Sequence, residues 1–231
     1  MHRSFVLVSS TLVLALAMTP VSATAETETE AEAAQDTLVL GPNLIGNGGF
    51  EQGGATAQEP ATWRRTRAGI AERHVTFDWD DEVAHTGERS VSIAIDDTHP
   101  NVQVNHNWNQ HVTGFEPGAR YLVSAWVKAE NLQKTAFFVV QCWNYQMSEV
   151  LRVASNQQGD EVIGTTDWIR IETTLEVPQK TGRMVVLAGL ASPENRGGRV
   201  WFDDVAIQRI GGQESQESEE SGATDESEAS E

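Results

Sequence analysis

Four carboxylates crowd the stretch "TFDWDDE", residues 76–82: Asp78, Asp80, Asp81 and Glu82. Glycoside hydrolysis uses two carboxyl groups about 5–10 Å apart, one protonating the leaving oxygen and the other acting as base or nucleophile. The stretch is expected in a loop between strands, with no second acidic motif to complete such a pair, so it reads as a solvated acidic loop. Nucleophilic chemistry finds less support. No G-x-S-x-G occurs, and Ser90 and Ser92 lie in the plain alternating run "RSVSIAI". His74, His85, His99, His106 and His111 show no H-E-x-x-H or comparable metal spacing. The glycines of "GNGGFEQGG" precede no helical pattern, so they form a turn rather than a phosphate loop. The single cysteine, Cys142, sits in "TAFFVVQCWNY" and reads as a small buried thiol.

A different question comes from "GGRVWFDDVAIQRI", residues 197–210. The run alternates like a strand yet carries Asp203 and Asp204 in its middle. Asp203 shares parity with Trp201, Val205 and Ile207, which directs it inward, and an ionised carboxylate facing a core costs several kcal/mol unless paired.

The elements that position these residues are short and extended. "RSVSIAI", "VQVNHNW", "ARYLVSAWVKA", "TAFFVVQCW", "WIRIETTLEV", "RMVVLAGL" and "RVWFDDVAI" are rich in Val, Ile, Thr and aromatics and are separated by turn signals such as "EPGA" and "ENRGG". This predicts an all-β protein, an antiparallel β-sandwich with two sheets of about four strands each, a jelly roll. Parity sorts the faces. Tyr121, Val123, Ala125 and Val127 form one apolar set, and Phe138, Val140 and Cys142 another. Gln103, Asn105, Asn107 and Asn109 form a polar ladder opposite Val102, Val104, His106 and Trp108. Trp126 on one strand and Gln141, Trp143 and Tyr145 on the next share the polar parity. Flat rings stack on the C–H faces of sugars and amides bond their hydroxyls. The expected ligand platform is therefore Trp126, Trp143, Tyr145 and Gln141, with Gln103, Asn105 and Gln110 adding hydrogen bonds. Trp201 has core parity, Trp168 opens its strand as a structural ring, and Trp79 and Trp108 fit either role.

Residues 1–25 read as a signal peptide: Arg3, an apolar run from Phe5 to Met18, and an Ala23-Thr24-Ala25 cleavage site. The apolar run is shorter than the roughly 20 residues of a spanning helix, so no membrane insertion is expected. Residues 26–42 and 211–231 read as acidic disordered flanks around a single domain at 43–210. The flanks hold five and eight of the 34 acids and no base; with Arg3 in the leader, 21 acids face 15 bases in the domain, a net charge near −6 within a total of −18. Such a balance argues against nucleic acid and anionic membranes as partners. One cysteine permits no intrachain disulfide in a secreted or periplasmic monomer.

The order of motifs resembles a known family. "NLIGNGGFEQG", "ATW", "HTGERSVSIAI", "WNQHVTGFEPGARYLVSAWVKAEN", "TTDWIRIETTLEVP" and "RVWFDDVAI" follow the pattern of galactose-binding-domain-like jelly rolls, including carbohydrate-binding modules of families four, nine and twenty-two. The resemblance implies a non-catalytic module binding a poly- or oligosaccharide, with Trp63 as a core ring. It also implies a structural calcium between the first and last strands, held by Glu51, by Asp203 or Asp204, and by carbonyls near Gly87 and Arg89. Calcium takes six to eight oxygens at about 2.3–2.6 Å, which suits these groups; for the "TFDWDDE" stretch a second calcium site is the alternative to the solvated acidic loop. Two other expectations stay open: an adhesive cell-surface module without sugar affinity, and a small jelly-roll glycan hydrolase or lyase.

Overall fold

Branched and aromatic residues at alternating positions favour extended chain because they pack well on a pleated, half-buried surface. A computed structural model describes residues 38–211 apart from 57 and 68. The expected signal peptide, residues 26–37 of the acidic flank, and the tail from 212 lie outside the described residues. The strands are β1 (Leu40–Asn43), β2 (Arg64–Arg65), β3 (Val75–Asp80), β4 (Ser90–Ile95), β5 (Val104–Val112), β6 (Arg120–Leu132), β7 (Phe137–Asn144), β8 (Val150–Ser155), β9 (Gly164–Glu176), β10 (Thr181–Ser192) and β11 (Arg199–Ile210). One sheet runs β3-β4-β11-β6-β9 with β1 added to β11, and the other runs β2-β5-β10-β7-β8. All the pairings are antiparallel, giving a β-sandwich of jelly-roll type. None of the described residues forms a helix long and apolar enough to cross a membrane.

The alternation predicts most of the core. Tyr121, Val123, Ala125 and Val127 of β6 are buried, as are Phe138, Val140 and Cys142 of β7. They meet His106 and Trp108 of β5 and Met184, Val186, Ala188 and Leu190 of β10 between the sheets. Each large apolar side chain so enclosed contributes about 1.5–3 kcal/mol. The indole of Trp108 satisfies its one donor by bonding the Ser92 carbonyl across the sandwich at 3.1 Å. Trp108 and Trp63 are therefore core rings.

Three expectations change. The folded part begins at Leu40, ahead of residue 43, because β1 pairs with the end of β11. Asp78 and Asp80 belong to strand β3 rather than a loop, with only Asp81 and Glu82 in the turn that follows. The parity of β11 also breaks. Register slips between Asp203 and Ala206, where Asp204 adopts φ +47°, the mark of a β-bulge. Val200 and Phe202 point into the core before the bulge and Val205 and Ile207 after it. Trp201 and Asp203 thus share the outer face of the six-stranded sheet, opposite Lys128 and Trp126 of β6. Both are buried, but under loop and side chains rather than in the core.

Candidate functional site

The outer face of the β2-β5-β10-β7-β8 sheet collects much of the expected platform. Asn105, Asn107 and Asn109 of β5 stand opposite Ala191, Gly189 and Leu187 of β10, and Gly189 and Leu187 in turn stand opposite Phe137 and Val139 of β7. Small residues along β10 leave a trough. Gly189 has no room for a side chain, since a Cβ there would lie 2.6 Å from the Phe137 ring, which covers it. The resulting cavity of about 340 Å³ is lined by Gln103, Asn105, Asn107, Phe137, Val139 and Gln141, among others. The amides are chained to one another. Asn109 Nδ2 donates to Asn107 Oδ1 at 3.1 Å, and the Trp143 indole donates to Gln141 Oε1 at 3.1 Å. Gln103 Nε2 donates to the Glu194 carboxylate at 3.3 Å on the rim. Trp143 is half-buried on the same face, one row beyond Gln141. Tyr145 is 73% exposed. It lies over Gly182, where a Cβ would meet its ring at 2.6 Å.

Two members of the expected platform lie elsewhere. Trp126 belongs to β6, in the other sheet, because the chain crosses between sheets at residues 133–136 before starting β7. It stacks on His85 with centroids 3.8 Å apart and planes at 16°, and Trp168 meets the same imidazole edge-on at 5.7 Å. Gln110 has the inward parity of β5 and is buried. Its Oε1 accepts from Gly46 N at 2.9 Å, while its Nε2 donates to the Gly46 carbonyl and Thr62 Oγ1 at 2.9 Å each. It anchors the first loop rather than facing a ligand. Conversely, the face carries residues the parity argument did not single out as ligands: Asn107, Asn109, His111, Arg64 and Arg183. The alternation that marked Asn105 marks Asn107, Asn109 and His111 too, whereas Arg64 lies on a two-residue strand with no period to read.

Asp203 finds its partners in backbone amides. His85 N and Thr86 N donate to its Oδ2 at 2.8 and 3.2 Å, and Asp204 N donates to Oδ1 at 2.7 Å. Burial is the largest influence on this carboxyl and, with the Asp204 charge, outweighs those amides, pushing its pKa up to about 6. Asp204 accepts from Thr86 Oγ1 at 2.8 Å and lies 2.7 Å from His85 Nδ1. Glu51 Oε1 accepts from Glu88 N and Arg89 N at 2.9 and 3.1 Å. Gly87, at φ +66°, brings its Cα against the same carboxylate, leaving no space for a side chain. Glu51, Gly87, Arg89, Asp203 and Asp204 therefore converge on one turn, residues 85–89.

Asp80, Cys142 and His106 are structural. Burial works to raise the Asp80 carboxyl. Hydrogen bonds from Trp201 Nε1 and the amides of Glu82 and Val83, with the Arg199 charge, outweigh it and hold Asp80 below its ordinary value. Burial pushes the Cys142 thiol up to about 11, so it is a neutral core group. His106 is enclosed in the core with Nε2 3.1 Å from Ser192 Oγ, and burial, then the His99 charge, pushes it down to about 4.

No family model matches the sequence, and no curated protein does. Solved structures do match. The enzymatically active domain of tailspike protein 4 of bacteriophage CBA120 is 16% identical with a TM-score of 0.54, over 73% of this chain and 21% of that one. This chain thus spans about a fifth of the tailspike's length. A family 61 carbohydrate-binding module, solved with β-1,4-galactotriose, is 20% identical with a TM-score of 0.45 over 73% of this chain and 99% of its own. The xylan-binding domain CBM22-1 of Paenibacillus barcinonensis Xyn10C is 13% identical with a TM-score of 0.49, over 74% and 96%. Across these low identities the common property is architecture alone, the antiparallel β-sandwich of jelly-roll type described above.

Proposed function

We propose that the protein is a secreted, non-catalytic carbohydrate-binding module whose ligand lies along the outer face of the β2-β5-β10-β7-β8 sheet. One observation carries this reading: an open trough lined by the amides of Gln103, Asn105, Asn107 and Gln141, with the half-buried ring of Trp143 on the same face one row beyond Gln141. Rings supply stacking surface and the amides of Gln103, Asn105, Asn107 and Gln141 supply directed hydrogen bonds, the combination that orients a hydroxyl-rich chain. The trough crosses several strands and is open, which suits an internal stretch of a polysaccharide. Its five strands contain no Asp or Glu. Native-gel retardation on a panel of soluble β-glucans, xylans, galactans and pectins tests the proposal. Retardation on at least one polymer, without release of reducing ends, is the expected result. Migration unchanged on every polymer would overturn it.

A calcium at the 85–89 turn is part of the same reading. Among the described residues no three His, Cys, Asp or Glu side chains gather as a metal site, so the ion would rest on Glu51 and Asp203 with the Gly87 and Arg89 carbonyls of the same turn. A divalent cation would relieve the burial of Asp203, tying the first loop to the last strand. A ligand that binds only the folded state contributes about 2.7 kcal/mol at a hundredfold excess over Kd. For a domain of this size that is about 5–10 °C in Tm. EGTA should lower the Tm by that amount, and Asp203→Asn should abolish the difference between calcium and EGTA. Equal Tm in calcium and EGTA, with no calcium by elemental analysis, would leave Asp203 held by its three amides alone.

A further inference from the structure

The charge of the molecule is divided between its sheets. The β3, β6, β9 and β11 strands of one sheet carry acids including Asp78, Asp80, Glu130, Asp167, Glu172, Asp203 and Asp204. The five strands of the other sheet contain no acid, yet include Arg64, Arg183 and His111 on its outer face. Arg183 stands directly opposite Trp143 across the β10–β7 pair, and Arg64 opposite Asn109 across β2–β5. Val185, two residues on from Arg183 and on the same face, stands opposite His111. His111 lines two adjoining cavities of about 320 and 450 Å³, one shared with Arg64 and the other with Arg183. All three side chains are exposed. Among the described residues neither arginine forms an ion pair, although Arg65, Arg89, Arg170, Arg199 and Arg209 each hold a carboxylate. Burial comes first, then the Arg183 and Arg64 charges, in holding His111 below its ordinary pKa, so both guanidiniums bear on it.

In a chain of net charge −18, two exposed arginines without carboxylates, on a face whose strands carry no acid, form a local field of opposite sign. Guanidinium groups present paired donors that match carboxylate or sulfate oxygens. Resting on the carbohydrate-binding proposal above, we infer that the ligand is an anionic polysaccharide, carrying uronate or sulfate groups, whose charge is received by Arg183 and Arg64 while the ring bearing it stacks on Trp143. The neutral hydroxyls extend along the Asn109–Asn107–Asn105 row.

Titration calorimetry with matched polymers tests this: polygalacturonate against its carboxyl-reduced form, and a sulfated galactan against its desulfated form. One acidic polymer should bind, its neutralised counterpart about tenfold or more weakly, as expected for a lost charge-assisted bond. The pair that shows the difference tells carboxylate from sulfate. Arg183→Ala and Arg64→Ala, both at exposed positions, should remove the preference for the acidic form, and raising the salt should weaken it. Equal binding of acidic and neutral forms, or preference for the neutral form, would overturn the inference while leaving the carbohydrate-binding proposal standing. Binding of none of these polymers or of the neutral panel would overturn both.

Discussion

Between pH 7 and pH 4 the wild type is expected to lose about 3 kcal/mol of stability relative to a His106→Gln variant. His106 is enclosed in the core beside Ser192 Oγ, its pKa pushed down to about 4 from 6.5. The folded state therefore holds it neutral while the unfolded chain takes up a proton as the pH falls below 6.5. Its contribution is fully present above pH 6.5 and is lost progressively toward pH 4. Asp203, pushed up to about 6, acts in the opposite direction when no cation holds it ionised: its contribution is present below 3.8 and is lost as pH rises through 6. The comparison between variants cancels that term, because Asp203 lies on the outer face of β11 and His106 in the core. Urea unfolding at pH 7, 5.5 and 4 measures the difference. Parallel loss of stability in both proteins would show that His106 is protonated in the fold.

Trp143→Ala is expected to weaken polysaccharide binding roughly thirtyfold, the size of a 2 kcal/mol anchor. Its ring is oriented by the indole bond to Gln141 and flanked by Arg183, so truncation removes both the stacking surface and a fixed hydrogen bond. Trp126→Ala, in contrast, is expected to leave affinity within about twofold while lowering stability, because that ring packs on His85 on the opposite sheet. Calorimetry on both variants, each checked for a cooperative unfolding transition, separates a lost contact from a lost fold. Equal weakening by the two would place the site elsewhere or show that both act through stability.

What could be read from the sequence was whatever follows from local alternation. The inward sets of β6 and β7 and the amide row of β5 come directly from side-chain period, since each residue's face is decided by its neighbours two positions away. What failed depends on long-range partners. Trp126 and Trp143 share a parity, but a jelly roll sends β6 and β7 to different sheets, and parity carries no sheet label. Alternation directs Asp203 inward with Val205 and Ile207, and the bulge at Asp204 reverses that, so it lies with Trp201 on the outer face. Its pairing is with the amides of His85 and Thr86, more than a hundred residues away in sequence. Gln110 looked like one more ligand amide because its contacts to Gly46 and Thr62 close a loop that no periodicity announces. The convergence of Glu51, Gly87, Arg89 and Asp203 came instead from motif order, which encodes topology where alternation cannot.

The central claim is that a glycan occupies the β2-β5-β10-β7-β8 face. Titrating the protein with an oligosaccharide cut from the best-retarding polymer, while following the indole N–H signals of its seven tryptophans by NMR, tests it most directly. The Trp143 signal should shift with saturation while those of Trp126, Trp168 and Trp201 stay in place. Movement of Trp126 and Trp168 with Trp143 unchanged would put the ligand on the opposite sheet and contradict the claim.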